Sequence, residues 1–571
     1  MAVFFDGRLI TTPTTASVVN DDAMRNKNLS VGNVVALVGR SASGKPKTAL
    51  RYGSPQQAQA DLVSGELLDA VLAAFDPSNE TGGPAEVVAV RVNPAAQSSL
   101  TLKSAGAADV ISLQSTNYGA LTNQIKIKIE AGSVSGRRLT TQVGSDYYSE
   151  DNVGRAAFSV QYTGGLASAT VTISGTSCVL ASPSGTTVAT LNFVDYGTVQ
   201  DLVDRINLVP GFAASVLGGN FTSPTLNGLD FVTAADCKTS ATTVRADLQA
   251  AIDWFNGNAE GYVTATRVAG AGEPPAPLAF TFMSGGSDGT TTNADWASAF
   301  EVLQSVDVQW VTPVSGDAAI HAMADSHVAF MSTVGRKERR AVVGSAANTS
   351  DTDAIAAAKA LNSDRTSLVH LGHYNYNAAG KLVLFPAYIS AALISGMFAG
   401  VNPGTPLTNK TIKVRGLERK LRNPTDTDQL IKGGVLCLED TEQGYKVVKS
   451  ISTWLVNSNY NRVEQSTGWA VDFVARNIRN ALDVLRGAKG NPLVLSRAAS
   501  IAETTLRELA REEPQGPGVI VGNAQSPAYR NIKASLEGDV LRVDFECSPV
   551  IPVNYVLATI YAVPFSGTAT A

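Results

Sequence analysis

"VVALVGRSASGKPKTALRYGSPQQAQADLVSGELLDAVLAAF", residues 34–75, decides the fold. Val34 to Val38 are apolar at every position, the pattern of a strand covered on both faces, and Gly39 ends the run. Ser54 then offers an N-cap with Pro55 at the first helical position, and Leu67, Val71 and Phe75 repeat on one helical face that Leu68 and Leu72 widen. A second apolar run, Val87 to Val92, completes a βαβ unit, which requires a parallel sheet. The turn inside it, Gly39, four residues, Gly44 and Lys45, has the spacing of a phosphate-cradling loop. Position 46 is proline, which supplies neither the hydroxyl that would ligate magnesium nor a backbone N–H for a phosphate oxygen. The stretch reads as a strand-to-helix turn.

Outward from this unit, the same alternation returns at 290–400: helix 294–304, strand 307–311, helix 317–334, strand 340–344, helix 351–361, strand 366–371 and helix 387–399. Between them, residues 150–275 change to a Thr/Ser/Gly/Val texture with short alternating runs and one helix near 198–207, the signature of a mostly-β insertion. Ile125, Ile127 and Ile129 alternate with Lys126, Lys128 and Glu130, a half-buried strand. The C-terminal part carries strands 434–438 and 446–451, helices 468–486 and 497–511, and strands 539–547 and 553–563, the last suited to a sheet edge. Residues 1–30 lack a helical period and read as an extended arm, reaching tens of ångströms at about 3.3 Å per residue. The expected fold is mixed α/β and β and multidomain. It comprises an arm (1–30), an α/β core in two parts (31–150 and 276–425), an inserted mostly-β outer domain (151–275) and an α+β C-terminal domain (426–571) with a terminal edge strand.

With 571 residues, 44% hydrophobic and 17% charged, the chain is globular and too long for one core. A formal charge of −5 argues against direct nucleic-acid binding, which draws its affinity from phosphate neutralisation. Asp6 interrupts the apolar opening MAVFFDG, and the apolar run Tyr388 to Val401 is too short for a bilayer, so the sequence suggests neither a signal peptide nor membrane insertion and points to a soluble, cytosolically made chain. Cys178, Cys237, Cys437 and Cys547 lie far apart and read as structural thiols, not a zinc site or disulfide framework.

Candidate chemistry stays incomplete. Gly285, Ser287 and Gly289 in "SGGSDGT" have the spacing of a hydrolase nucleophile elbow, but no helix starts at the serine. The downstream histidines are His321, His327, His370 and His373; the first pair do not share a helix face, and the second lie across a glycine at a strand end, so neither forms a metal pair. "GRKERR", residues 335–340, packs four basic side chains into six positions, which marks either a contact with something acidic or, as charge runs at a helix-to-strand turn usually do, a solvated loop. In helix 468–486, Val471, Val474, Ile478, Leu482 and Leu485 mark a core stripe, and Arg476 and Arg479 fall off it as a basic outer face. No enzyme, metal site or cofactor is expected.

Taken together and in order, "VVALVGRSASGKPKTALRYGSPQQAQADLVSGELLDAVLAAF" with "EVVAVRV", "NYGALTNQIKIKIEAGS", "MSGGSDGTTTNADWASAFEVLQSVDVQWV", "GGVLCLEDTEQGYKVVKSISTW" with "GWAVDFVARNIRNALD", and "SPVIPVNYVLATIYAV" resemble the contractile tail sheath proteins of bacteriophages and related injection machines. The resemblance covers about 30–145 and 280–565. It implies a structural subunit of the virion tail, assembled in the host cytoplasm into six-fold rings stacked helically around an inner tail tube protein, and ending on baseplate and terminator proteins. It further implies that contraction drives the tube through a target envelope, and that the arms join neighbours by strand addition. On this sequence that assigns strand addition to Val3, Phe4 and Phe5 at one end and to Val553, Tyr555, Leu557, Thr559 and Tyr561 at the other, with Arg476 and Arg479 as tube contacts. The rival readings are a hydrolase-like or nucleotide-binding enzyme, tied to Ser287 or Lys45, and a surface-layer or adhesin protein.

Overall fold

The structure, a computed structural model, describes residues 3–5, 8–10, 34–257, 261–562 and 567. Its centre is an eight-stranded sheet formed by Val34–Gly39 (β1), Ala49–Tyr52 (β2), Glu86–Arg91 (β3), Trp310–Pro313 (β4), Arg340–Gly344 (β5), Thr366–His370 (β6), Val435–Thr441 (β7) and Gly444–Val447 (β8). The spatial order is β8-β7-β6-β5-β4-β1-β3-β2, parallel from β7 to β3 with an antiparallel strand at each edge. The early strand β1 thus lies beside the much later β4, pairing Val35 with Trp310, and the chain winds outward in both directions from that point. Val35 and Leu37 face one apolar layer, whereas Ala36 and Val38 face the other, which explains why β1 reads as an unbroken apolar run.

One layer holds Pro55–Leu62 (α1), Glu66–Phe75 (α2) and Ala387–Gly400 (α3); the other holds helices 293–302, 318–333 and 351–361. The sequence reads α1 and α2 as one helix, but Val63 at φ 61° and Gly65 at φ 111° turn the chain between them. Helix α3 is apolar and buried around its circumference. It meets α2 at Gly396, where a Cβ would lie 2.2 Å from the Ala74 carbonyl oxygen, so the two helices touch backbone to backbone. Phe398 on α3 stacks on Trp310 at 4.2 Å between ring centres.

Residues 97–283 form separate sheets. The half-buried strand Lys126–Ala131 lies outside the central sheet. It pairs with Arg137–Val143 on one side and Leu278–Phe282 on the other. The reason lies in its own pattern: one wet face suits an antiparallel sheet, not a parallel one sandwiched between helix layers. Ile127 and Ile129 are buried in a cluster with Phe255 and Trp254 of helix 247–257. A second cluster, built around Phe158, Phe193 and helix 199–207, fills the sandwich beyond it.

Gln465–Leu482 (α4), Pro492–Leu509 (α5) and the hairpin Tyr529–Glu537/Val540–Cys547 share a small core of Phe473, Val474, Leu506 and Ile520. Trp469 at the start of α4 reaches back to Trp310 at 5.7 Å, tying this core to the central one.

Candidate functional site

The two loops that resembled catalytic motifs meet at one side chain, Arg91, and it occupies them. Arg91 is fully buried, and all five of its N–H donors have acceptors: Nε gives to Asn93 Oδ1 (3.1 Å), Nη1 to the Gly44 and Tyr118 carbonyls (2.9 and 3.1 Å), and Nη2 to the Ala42 carbonyl (3.4 Å) and Asp288 Oδ1 (3.0 Å). The loop after β1 therefore turns carbonyl oxygens onto a cation, the opposite polarity from the ring of N–H groups that holds a phosphate. Lys45 points to solvent, and Pro46 bridges back to Arg91. Ser287 sits in a strand-like segment, exchanging backbone hydrogen bonds with Ala96, and the next helix starts only at Asn293.

The four histidines are buried and engaged elsewhere. His321 Nε2 lies 2.8 Å from the Ser315 carbonyl, and His327 Nε2 accepts from Arg339 Nη1 at 3.0 Å. His370 bridges Ser345 and Asp351, and His373 Nδ1 meets Ser390 Oγ at 2.8 Å. Ser390 Oγ gives its proton to the Leu371 carbonyl, so His373 must donate from Nδ1. Burial pushes His327 and His373 down to about 4, with Arg339 adding to the effect at His327. Among the described residues, no group of three or more His, Cys, Asp or Glu is placed to hold a metal ion, and no helix is long and apolar enough to cross a membrane. The cysteines are free, three of them buried.

Arg476 and Arg479 do not form an outer basic face. Arg476 is 5% exposed; Nη1 pairs with Asp307 at 3.0 Å and Nη2 donates to the Glu338 carbonyl at 3.1 Å. Arg479 pairs with the Glu338 carboxylate. Helical periodicity finds the apolar stripe of α4, but it cannot reveal that the flank beside the stripe also docks, here against the "GRKERR" turn. That turn is likewise no solvated loop: Arg339 and Arg340 are buried, and Arg340 Nε donates to Asp472 Oδ2 of α4 at 2.8 Å.

At the chain ends the geometry differs from expectation in a useful way. Val3–Phe5 pairs antiparallel with Arg8–Ile10, so this part of the expected extended arm folds back on itself; residues 1–2, 6–7 and 11–30 of that arm lie outside the described residues. The expected edge strand 553–563 does not form in its described part: residues 551–562 carry no strand and join none of the described sheets. Asn554 anchors the segment by hydrogen bonds to Thr408 (3.1 Å) and Glu464 (2.7 Å). Beyond that anchor Tyr555, Val556, Leu557, Thr559, Ile560 and Tyr561 stand in solvent, Leu557 at 94% exposure, and Val553 just before it is equally bare.

The overall fold is shared with solved sheath tail proteins: that of Listeria innocua aligns with a TM-score of 0.55 at 14% identity, covering 92% of this chain and 94% of its own. That of Desulfitobacterium hafniense gives 0.52 at 13%, covering 95% and 100%. No protein-family model matches the chain. In sequence, the chain is similar end to end to the tail sheath protein of Bacillus phage SP01, 29% identical over 589 residues covering 100% of this chain and 98% of that protein, and to the putative tail sheath protein of Enterococcus phage phiEF24C, 28% identical with 96% of each covered. The resemblance to contractile tail sheath proteins read from the scattered motifs therefore holds over the whole chain, including residues 150–275 where the motifs were silent.

Proposed function

We propose that this chain is a structural subunit of a contractile tail sheath, polymerising as stacked six-fold rings around an inner tube and contracting to drive that tube through a target envelope. The observation that carries the reading is the similarity to phage tail sheath proteins, which spans 100% of this chain and 98% of the Bacillus phage SP01 protein. An enzyme reading has no support in the two motif loops, which are filled by Arg91.

The chain ends supply the joints. Residues 551–562 offer unpaired backbone and apolar side chains to a neighbouring copy, with Asn554 as the fixed point from which the strand departs. Val3–Phe5, paired on one edge with Arg8–Ile10, has its other edge for a second strand. In this reading the partners are further copies of the chain, the tail tube protein, the baseplate and the terminator, and the assembled location is the virion tail, built in the host cytoplasm. Arg476, which is buried, and Arg479, whose side chain is 36% exposed, both serve to dock α4, so in this reading tube contact falls to other residues.

Deleting residues 552–571 tests the joint. The shortened protein is expected to keep its circular dichroism spectrum and sediment as a monomer under conditions where the full chain polymerises. Long tubes from the deletion would refute strand donation by this end.

A further inference from the structure

Residues 97–283 leave and rejoin the α/β body through two adjacent segments, 92–98 and 284–292. They run antiparallel as a neck: Ala96 and Ser287 exchange backbone hydrogen bonds (2.8 and 3.3 Å), as do Ser99 and Ser284 (2.8 and 3.1 Å). Gly285 and Gly289 in this neck have φ of +88° and +67°, conformations with low cost only for glycine. Apolar packing does not brace the neck. Among the described residues, both clusters of the 97–283 module exclude every residue of the body, and both body clusters exclude every residue of the module. The α4 unit is the counter-example, since its Trp469 belongs to a body cluster and its Asp472 is buried between body arginines.

What spans the neck instead is polar: Asn123 of the module exchanges two hydrogen bonds with Gly286 of the neck (both 2.8 Å), and the contacts that reach the body converge on one group. Arg91, at the end of β3, holds body loops through Ala42, Gly44 and Asn93, and holds the module side through the Tyr118 carbonyl and Asp288. Asp288 Oδ1 also accepts the Ala120 N–H (3.2 Å), and Asn93 Nδ2 joins the Ser41 and Asp288 carbonyls (3.2 and 3.1 Å). Gly119 allows the closest approach: a Cβ there would lie 2.3 Å from the Ala42 carbonyl oxygen. We propose that Arg91 is the pin of a hinge, fixing the orientation of the 97–283 module on the body through hydrogen bonds that no shared apolar core backs up. With the pin in place the module is a rigid outrigger; with it removed, the neck glycines let the module swing while each unit keeps its own core. Lysine cannot replace the pin, having three donors on a point charge where five planar ones are used. This role at the neck does not depend on polymerisation.

Pulsed electron–electron resonance on the unassembled full-length protein tests it. Spin labels on Val194→Cys in the module and Lys359→Cys on the body, in a Cys547→Ser background, report the inter-unit distance; Val134→Cys with Val194→Cys reports the module alone. In Arg91→Leu the inter-unit distribution is expected to widen at least twofold while the intra-module one is unchanged. An unchanged inter-unit width overturns the proposal, and so does equal widening of both, which would make Arg91 a fold residue of the module. If Arg91→Leu does not accumulate as folded protein, Asp288→Ala, whose side chain is half exposed, takes its place: widening of the inter-unit distance alone supports the hinge, and no widening or equal widening of both distances overturns it.

Discussion

Replacing Asp472 with alanine probes how α4 is held. Its carboxylate, 5% exposed, accepts from Arg340 Nε at 2.8 Å and from Arg365 Nη1 and Nη2 at 3.0 and 3.1 Å. Arg340 is 3% exposed and is completed by Gln465 Oε1 (2.8 Å) and the Asp364 carbonyl (3.0 Å). Burial pushes the Arg340 guanidinium toward losing its charge, and Asp472 is the group that most opposes this. Alanine leaves that guanidinium buried without a counter-ion, and breaking such a pair costs about 3–5 kcal/mol, although the intact pair is worth far less than this against apolar replacements. A chain with several cores will not unfold in one step, so the local quantity to read is amide exchange along α4. A loss of about 3–5 kcal/mol accelerates exchange there by roughly a hundred- to several-thousand-fold, while amides of helix 199–207 stay at the wild-type rate. The double variant Arg340→Met with Asp472→Leu should recover much of the protection, because both charges leave together. Acceleration below about fivefold in Asp472→Ala, or a double variant worse than the single, would refute the view that the ion cluster latches α4 to the body.

Packing and pH give further tests. Gly396→Ala drives a Cβ to 2.2 Å from the Ala74 carbonyl and must part α2 from α3, at a cost of about 1–3 kcal/mol; a wild-type melting profile would show that the crossing relaxes freely. Folding lowers the pKa of His327 and His373 from about 6.5 to about 4, so each contributes stability that is whole above pH 6.5 and fades as pH falls toward 4, about 3 kcal/mol apiece over that window. His321 and His370 shift the same way. Urea midpoints should therefore drop between pH 7.5 and 5, less steeply in His327→Gln, and equal slopes would contradict the assignment.

Much of the α/β body is legible in the sequence because its signals are local. The unbroken apolar run of β1, the capped and periodic helices 318–333 and 351–361, and strands 340–344 and 366–370 each announce themselves within ten or twenty residues. Where sequence and structure part, the deciding contact lies far along the chain. Lys126–Ala131 reads as a one-sided strand, yet its partner Leu278–Phe282 is some 150 residues away, so local pattern reveals the strand and not its sheet. Arg91 looks like the last residue of a strand, and only the fold brings Gly44, Tyr118 and Asp288 around it. Arg476 shows the limit of periodicity: a helix clasped on two sides buries charge off its apolar stripe when an acidic partner, here Asp307, waits there. At the C-terminus residues 553–563 have the pattern of a strand, yet the described part of that segment joins none of the described sheets.

The central claim is that this chain is built to polymerise, and negative-stain electron microscopy of the purified full-length protein tests it most directly. Striated tubes of stacked six-fold rings, absent when residues 552–571 are removed, are the result expected. Dispersed monomers of the intact chain at every concentration and salt condition tried, with or without a tube to template them, would contradict it.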